Sequence, residues 1–141
     1  MKKLLWLLGG ALAALVLCAV LNRNLAGARP FQGLKAGEIA SATVELYPPD
    51  VKIELGDDEI TELAALLHEV VVFQRFEGYG RYAAQAVVYT LHMADGTNHS
   101  VNACNPFLIV DGEGYRAEYA PCERLNSLGN RLAAEKPGKV P

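Results

Sequence analysis

Leu4 to Leu21 is an unbroken apolar run with no charged side chain, and the rest of the chain has to be built around it. Eighteen residues in a helix, at about 1.5 Å each, span roughly 27 Å, close to the ~30 Å hydrocarbon core of a bilayer. Lys2 and Lys3 precede the run, and Asn22, Arg23 and Asn24 follow it. A cleaved export signal has a shorter apolar region, about 7–15 residues, ending in a small-x-small site. The length therefore favours a retained anchor. Ala26-Gly27-Ala28 keeps cleavage at Ala28 open as the alternative, and Leu15-Val16-Leu17-Cys18 is a poor lipidation box because Leu17 stands where a small residue belongs. The lysines at the amino terminus predict that end inside and residues 30–141 outside the cytoplasm. This divides the chain into an anchor and linker (1–29), an extracytoplasmic domain (30–135) and a disordered tail (136–141).

Composition narrows the partners of that domain. Residues 30–141 hold nine of the thirteen basic residues and all sixteen acids, a net charge of −7. An acidic surface repels phosphate backbones and argues against nucleic acid as a partner. The bilayer, through residues 4–21, and another envelope protein or peptide are the expected partners.

Hydrophobic periodicity sets the fold expectation. Ile39 to Tyr47 alternates, with Ala40, Ala42, Val44 and Leu46 on one face and Ser41, Thr43 and Glu45 on the other; Pro48-Pro49-Asp50 turns the chain and Val51 to Leu55 alternates again. That pattern predicts a hairpin. Asp57, Asp58 and Glu59 open a helix whose stripe is Ile60, Leu63, Ala64, Leu67 and Val70. The acids suit the positive end of the helix dipole and need no metal to explain them. Strands follow over Val70–Phe76, Ala86–Met93, His99–Cys104, Phe107–Val110 and Tyr115–Tyr119, with Asp95-Gly96 and Asp111-Gly112 as hairpin turns. Pro121 suits the first turn of a closing helix lined by Cys122, Leu125, Leu128 and Leu132. The order β-β-α-β-β-β-β-β-α, with short connections, predicts an α+β domain: a curved antiparallel sheet with both helices on one face, behind an N-terminal transmembrane helix.

Chemistry-bearing residues are sparse. Gly78-Tyr79-Gly80-Arg81-Tyr82-Ala83 fits a loose dinucleotide pattern, but a strand rather than a helix follows it, so no helix terminus would hold a pyrophosphate. No catalytic, cofactor-binding or metal-ligating constellation is assigned, and no cofactor is expected. His92 and His99 flank the Asp95-Gly96 turn and, with Cys104, would make three zinc-capable ligands, the basis of the alternative expectation of an envelope hydrolase or metal-dependent enzyme. Cys104 and Cys122 could form a disulfide in an oxidising compartment, closing an 18-residue loop. Their other reading is two buried apolar side chains. The loop from Arg75 to Tyr82 concentrates Arg75, Tyr79, Arg81 and Tyr82, residue types that protein interfaces favour. The leading functional expectation is a membrane-tethered, non-enzymatic module that binds a protein or peptide through that loop.

Pro30-Phe31-Gln32-Gly33-Leu34-Lys35, Ile39 to Val44 with Pro48-Pro49, Asn105 to Gly112, and Tyr119-Ala120-Pro121-Cys122-Glu123 resemble small exported bacterial domains of unknown function. The resemblance spans roughly residues 30–134. It implies a domain behind one N-terminal membrane segment and carries no catalytic residue with it.

Overall fold

The structure, a computed structural model, describes residues 1–81 and 85–136. It is an α+β chain with an open, wholly antiparallel sheet of seven strands. The helices are α1 (Lys2–Ala26), α2 (Asp57–His68) and α3 (Tyr119–Glu135). The strands are β1 (Ile39–Tyr47), β2 (Val51–Glu54), β3 (Val72–Arg75), β4 (Ala86–Met93), β5 (Asn98–Cys104), β6 (Phe107–Val110) and β7 (Glu113–Ala117). After α1 the order is the one that periodicity predicts. The strand order across the sheet, β2-β1-β4-β5-β6-β7-β3, keeps the four hairpins β1–β2, β4–β5, β5–β6 and β6–β7 adjacent. It sends β3 to the far edge, beside β7, with α2 bridging from the opposite side.

One face of the sheet is apolar because alternation puts Ala42, Val44 and Leu46 of β1, Val87, Tyr89 and Leu91 of β4, and Val101 and Ala103 of β5 on the same side. The stripes of α2 (Ile60, Leu63, Ala64, Leu67) and α3 (Cys122, Leu125, Leu128, Leu132) close on that face to form one core. Gly129 sets how near α3 can come. A Cβ there would lie 2.5 Å from Val87 Cγ1 and 3.3 Å from the Tyr89 hydroxyl. The Tyr89 hydroxyl donates to the carbonyl of Leu125 at 2.6 Å, so the largest buried side chain has its polar end satisfied. Burial pushes its pKa up.

Three ion pairs lace α2 to α3: Arg124 to Glu69, Arg131 to Glu62 at 2.5 Å, and Lys136 to Glu59 at 2.5 Å. Glu59 also accepts from the Gly56 N–H at 2.7 Å, capping α2. Lys136, the first residue of the expected tail, is thereby held against α2; residues 137–141 lie outside the described residues. Helix α3 begins at Tyr119, two residues before Pro121. Proline is tolerated in a first turn, where N–H groups have no intrahelical partner.

Helix α1 ends on a left-handed glycine. Gly27 has φ +75°, and a Cβ there would lie 2.4 Å from Val71 Cγ1 and 3.0 Å from the Val72 carbonyl. Only glycine suits both the backbone and the space. The next residue, Ala28, exchanges two backbone hydrogen bonds with Val72, at 2.7 and 2.8 Å, so the linker starts as a clip on the outer edge of β3. Upstream of that clip the described side chains of α1 are exposed on every side, Trp6 at 83% and Leu15 at 68%. Among the described residues no helix is long and apolar enough to cross a membrane.

Candidate functional site

The linker from Pro30 to Leu34 forms one wall of a cleft of about 420 Å³. Pro30, Phe31, Gly33 and Leu34 face His99 of β5 and Val110 and Asp111 at the end of β6. The wall is held by turn hydrogen bonds, Gln32 N to Arg29 O and Leu34 N to Phe31 O, and by Phe31, which is 8% exposed and belongs to the core. His68, at the end of α2, donates from Nε2 to the Leu34 carbonyl. His68 thus fastens the linker to the domain.

The polar end of the cleft is a histidine–carboxylate pair. His99 Nδ1 lies 2.9 Å from Asp111 Oδ2, and the other oxygen of Asp111 accepts the Ser100 N–H at 2.8 Å. Asp111 and Gly112 have φ of +50° and +85°, two consecutive left-handed residues that make the tight, primed hairpin turn between β6 and β7. The turn carries Asp111 back over β5. Burial pushes the Asp111 pKa up, but the hydrogen bonds from His99 and the Ser100 N–H outweigh it and leave the carboxyl below its usual range. An ionised Asp111 accepts the Nδ1–H hydrogen bond of His99 and so orients the ring, with Nε2 as its second nitrogen. Such an imidazole can accept a hydrogen bond or a proton. No serine, threonine or cysteine is among the residues described as lining the cleft.

Beyond the same turn lies a second, polar notch of about 250 Å³, formed by Arg75, Glu77, Gly112, Glu113 and Gly114. Arg75, one of the contacts expected from sequence, pairs with Glu113 across the β3–β7 edge. Glu77 to Arg81 is a 3₁₀ turn rather than an open loop. The backbone of Tyr79 and Arg81 lies in that turn, whereas Tyr82 lies outside the described residues. Phe76, just before the turn, stacks on Phe107 at 4.5 Å between centroids, with the Arg116 guanidinium 5.2 Å from its ring. A Cβ at Gly78 would strike the Phe76 ring at 2.7 Å, so the glycine lets the turn close over it.

The trio His92, His99 and Cys104 is not brought together. Residues directly opposite in an antiparallel pair share a face. His99 pairs with Leu91, on the core side, and His92 with Asn98, on the other side, where its Nδ1 contacts Asn98 Oδ1 at 2.8 Å. Cys104 lies at the far end of β5 from both. Among the described residues no group of three His, Cys, Asp or Glu could hold a metal ion.

Cys104 and Cys122 are both buried and free, so the bridge weighed from the sequence is not formed. The register explains this. Cys104 sits opposite Phe107, on the face away from the helices, whereas Cys122 points from α3 into the core. Burial pushes the Cys122 thiol up to about 11, with Glu118 adding to the effect, and burial raises Cys104 as well.

Residue-type reasoning missed Asp111, whereas Phe31 and Leu34, which the sequence suggests pack back onto the domain edge, do pack against the core. The sequence marks Asp111 only as a turn former, yet a two-residue turn at 111–112 with Val101 opposite Val110 brings it next to Ser100 and His99. No local pattern could place the linker against β5 and β6. Comparison with family models, curated proteins and solved structures finds no match for this chain.

Proposed function

We propose that this chain is a membrane-tethered extracytoplasmic module that binds a protein or peptide and carries out no reaction of its own. The observation that carries the reading is α1: an apolar helix whose described side chains are exposed on every side, clipped to the domain at its carboxyl end. A helix apolar all round needs a nonpolar environment that the domain does not offer, and the apolar run from Leu4 to Leu21 has the length of a bilayer core. Lys2 and Lys3 on the short side favour an amino terminus inside. The acidic domain then faces outward, with its cleft built from the residues that leave the membrane. Protease added to intact cells tests this. A full-length, membrane-bound protein should lose its domain to external protease. A protected domain would refute the orientation, and a soluble form beginning near Arg29 would refute the tether.

One observation favours a second reading, an envelope hydrolase: the Asp111-oriented imidazole of His99 at the rim of an apolar cleft could draw a proton from water. Ester or amide hydrolysis abolished by His99→Asn with the fold intact would establish it, and undetectable turnover across both substrate classes would remove it.

A further inference from the structure

The two concavities share one divider, and their chemistries differ in a way that describes a ligand. On one side of the Asp111-Gly112 turn the walls are Phe31, Leu34 and Val110. On the other side the notch holds the carboxylates of Glu77 and Glu113, with Arg75 bound to the latter. Asp111 itself stands on the divider. Apart from His99 and Arg75, the side chains that line the two are apolar or acidic, and residues 30–141 carry a net charge of −7.

We propose that the cleft and the notch together recognise an extended peptide segment carrying an apolar side chain and, two residues on, a basic one. The inference rests on the binding-module reading and names its site and ligand class. Alternate side chains of an extended strand point the same way. An aliphatic side chain enters the cleft between Phe31, Leu34 and Val110, where burial supplies affinity. A polar group of the peptide backbone meets the His99 imidazole at the cleft's polar end. The basic group reaches the notch, where it competes with Arg75 for Glu113 and is shared with Glu77. Charge complementarity of this rim kind sets specificity and association rate more than total affinity. Anionic lipids and acidic peptides are excluded by the same carboxylates.

The test uses the full chain in phospholipid nanodiscs and three fluorescent, capped peptides. They are Gly-Leu-Gly-Lys-Gly, the same peptide with glutamate for lysine, and the same with serine for leucine. The leucine–lysine peptide should bind at least about ten-fold more tightly than either counterpart. The double variant Glu77→Gln with Glu113→Gln should narrow the lysine-to-glutamate preference to within about three-fold, its fold checked by far-UV circular dichroism. Val110→Ser should weaken the leucine peptide and leave the serine peptide unchanged. Equal binding of the basic and acidic peptides overturns the proposal. So does a preference that survives the double variant, although peptide capture as such would then still uphold a binding module using another surface. Binding by none of the three overturns the site, and protease access to the domain separately reports whether the tethered module itself stands.

Discussion

Gly129→Ala separates two opposing effects of known size. In the middle of α3, glycine costs about 1 kcal/mol of helix stability relative to alanine, so an unobstructed replacement would stabilise the domain by that amount. Here the new methyl would meet Val87 Cγ1 at 2.5 Å, well inside van der Waals contact, with the Tyr89 hydroxyl at 3.3 Å and Val44 Cγ2 at 3.5 Å. Val87 is β-branched, fully buried and fixed in a strand between β1 and β5, so it cannot swing aside. Overpacking of this kind costs about 1–3 kcal/mol. The net expectation is a loss of about 0–2 kcal/mol, with the Tyr89–Leu125 hydrogen bond strained as α3 is pushed outward. The decisive quantity is the coupling. In a Val87→Ala background the obstacle is gone, and Gly129→Ala should then stabilise by about 1 kcal/mol. Urea unfolding of the four proteins, followed by far-UV circular dichroism, gives the interaction energy, expected at about 1–3 kcal/mol. The same stabilisation by Gly129→Ala in both backgrounds would refute the close approach of α3 to the sheet.

Gly27→Ala should break the clip between α1 and the sheet, because it meets both the left-handed backbone and the Val71 side chain. Hydrogen exchange at the Val72 N–H should accelerate while the Leu91 and Val101 amides keep their protection; unchanged exchange at Val72 would count against the clip. Iodoacetamide applied to native protein near pH 8 should label neither Cys104 nor Cys122, since both thiols are buried and raised, and should label both after unfolding. Fast native labelling of Cys122 would mean that α3 is not seated as described. Acid should weaken the fold through Glu45, Glu59 and Asp111, whose native pKa values all lie below their ordinary ones. For Glu45 the cause is the Lys52 and Tyr47 hydrogen bonds; for Glu59 burial opposes, and Lys136 with the Gly56 N–H prevails. A depressed pKa contributes stability that is complete above the unfolded value, about 4–4.5, and is lost as pH falls through the native one. Glu59→Gln should therefore flatten the stability profile below about pH 4.5, and an unaltered slope would show that Lys136 does not hold Glu59.

The histidines show where local reading stopped. His92 and His99 look like neighbours across a turn, but His99 pairs with Leu91 and His92 with Asn98, and a side-chain period of two sends adjacent pairs to opposite faces. Cys104 and Cys122 look like a pair from the compartment they are expected in, but the sheet stands between the faces they occupy. In each case residue type suggested a partner and register decided against it. Asp111 is the reverse case: its type suggested only a turn, and register made it the partner of His99.

Element order and core were legible without coordinates because each rests on a local period. Alternation marked Val44, Leu46, Val87 and Tyr89 as inward, and a helical stripe did the same for Leu63, Leu67, Leu125 and Leu132, since burying apolar surface outweighs other preferences at this scale. The apolar run ahead of them was equally plain. Three things needed the tertiary structure: the place of β3 at the far edge, the clip of Ala28 on Val72, and the cleft between the linker and the β6–β7 turn. They depend on contacts between segments up to about eighty residues apart, such as Leu34 with Val110. Sequence periodicity says which face of an element is buried; which other element buries it is settled only when the whole core closes.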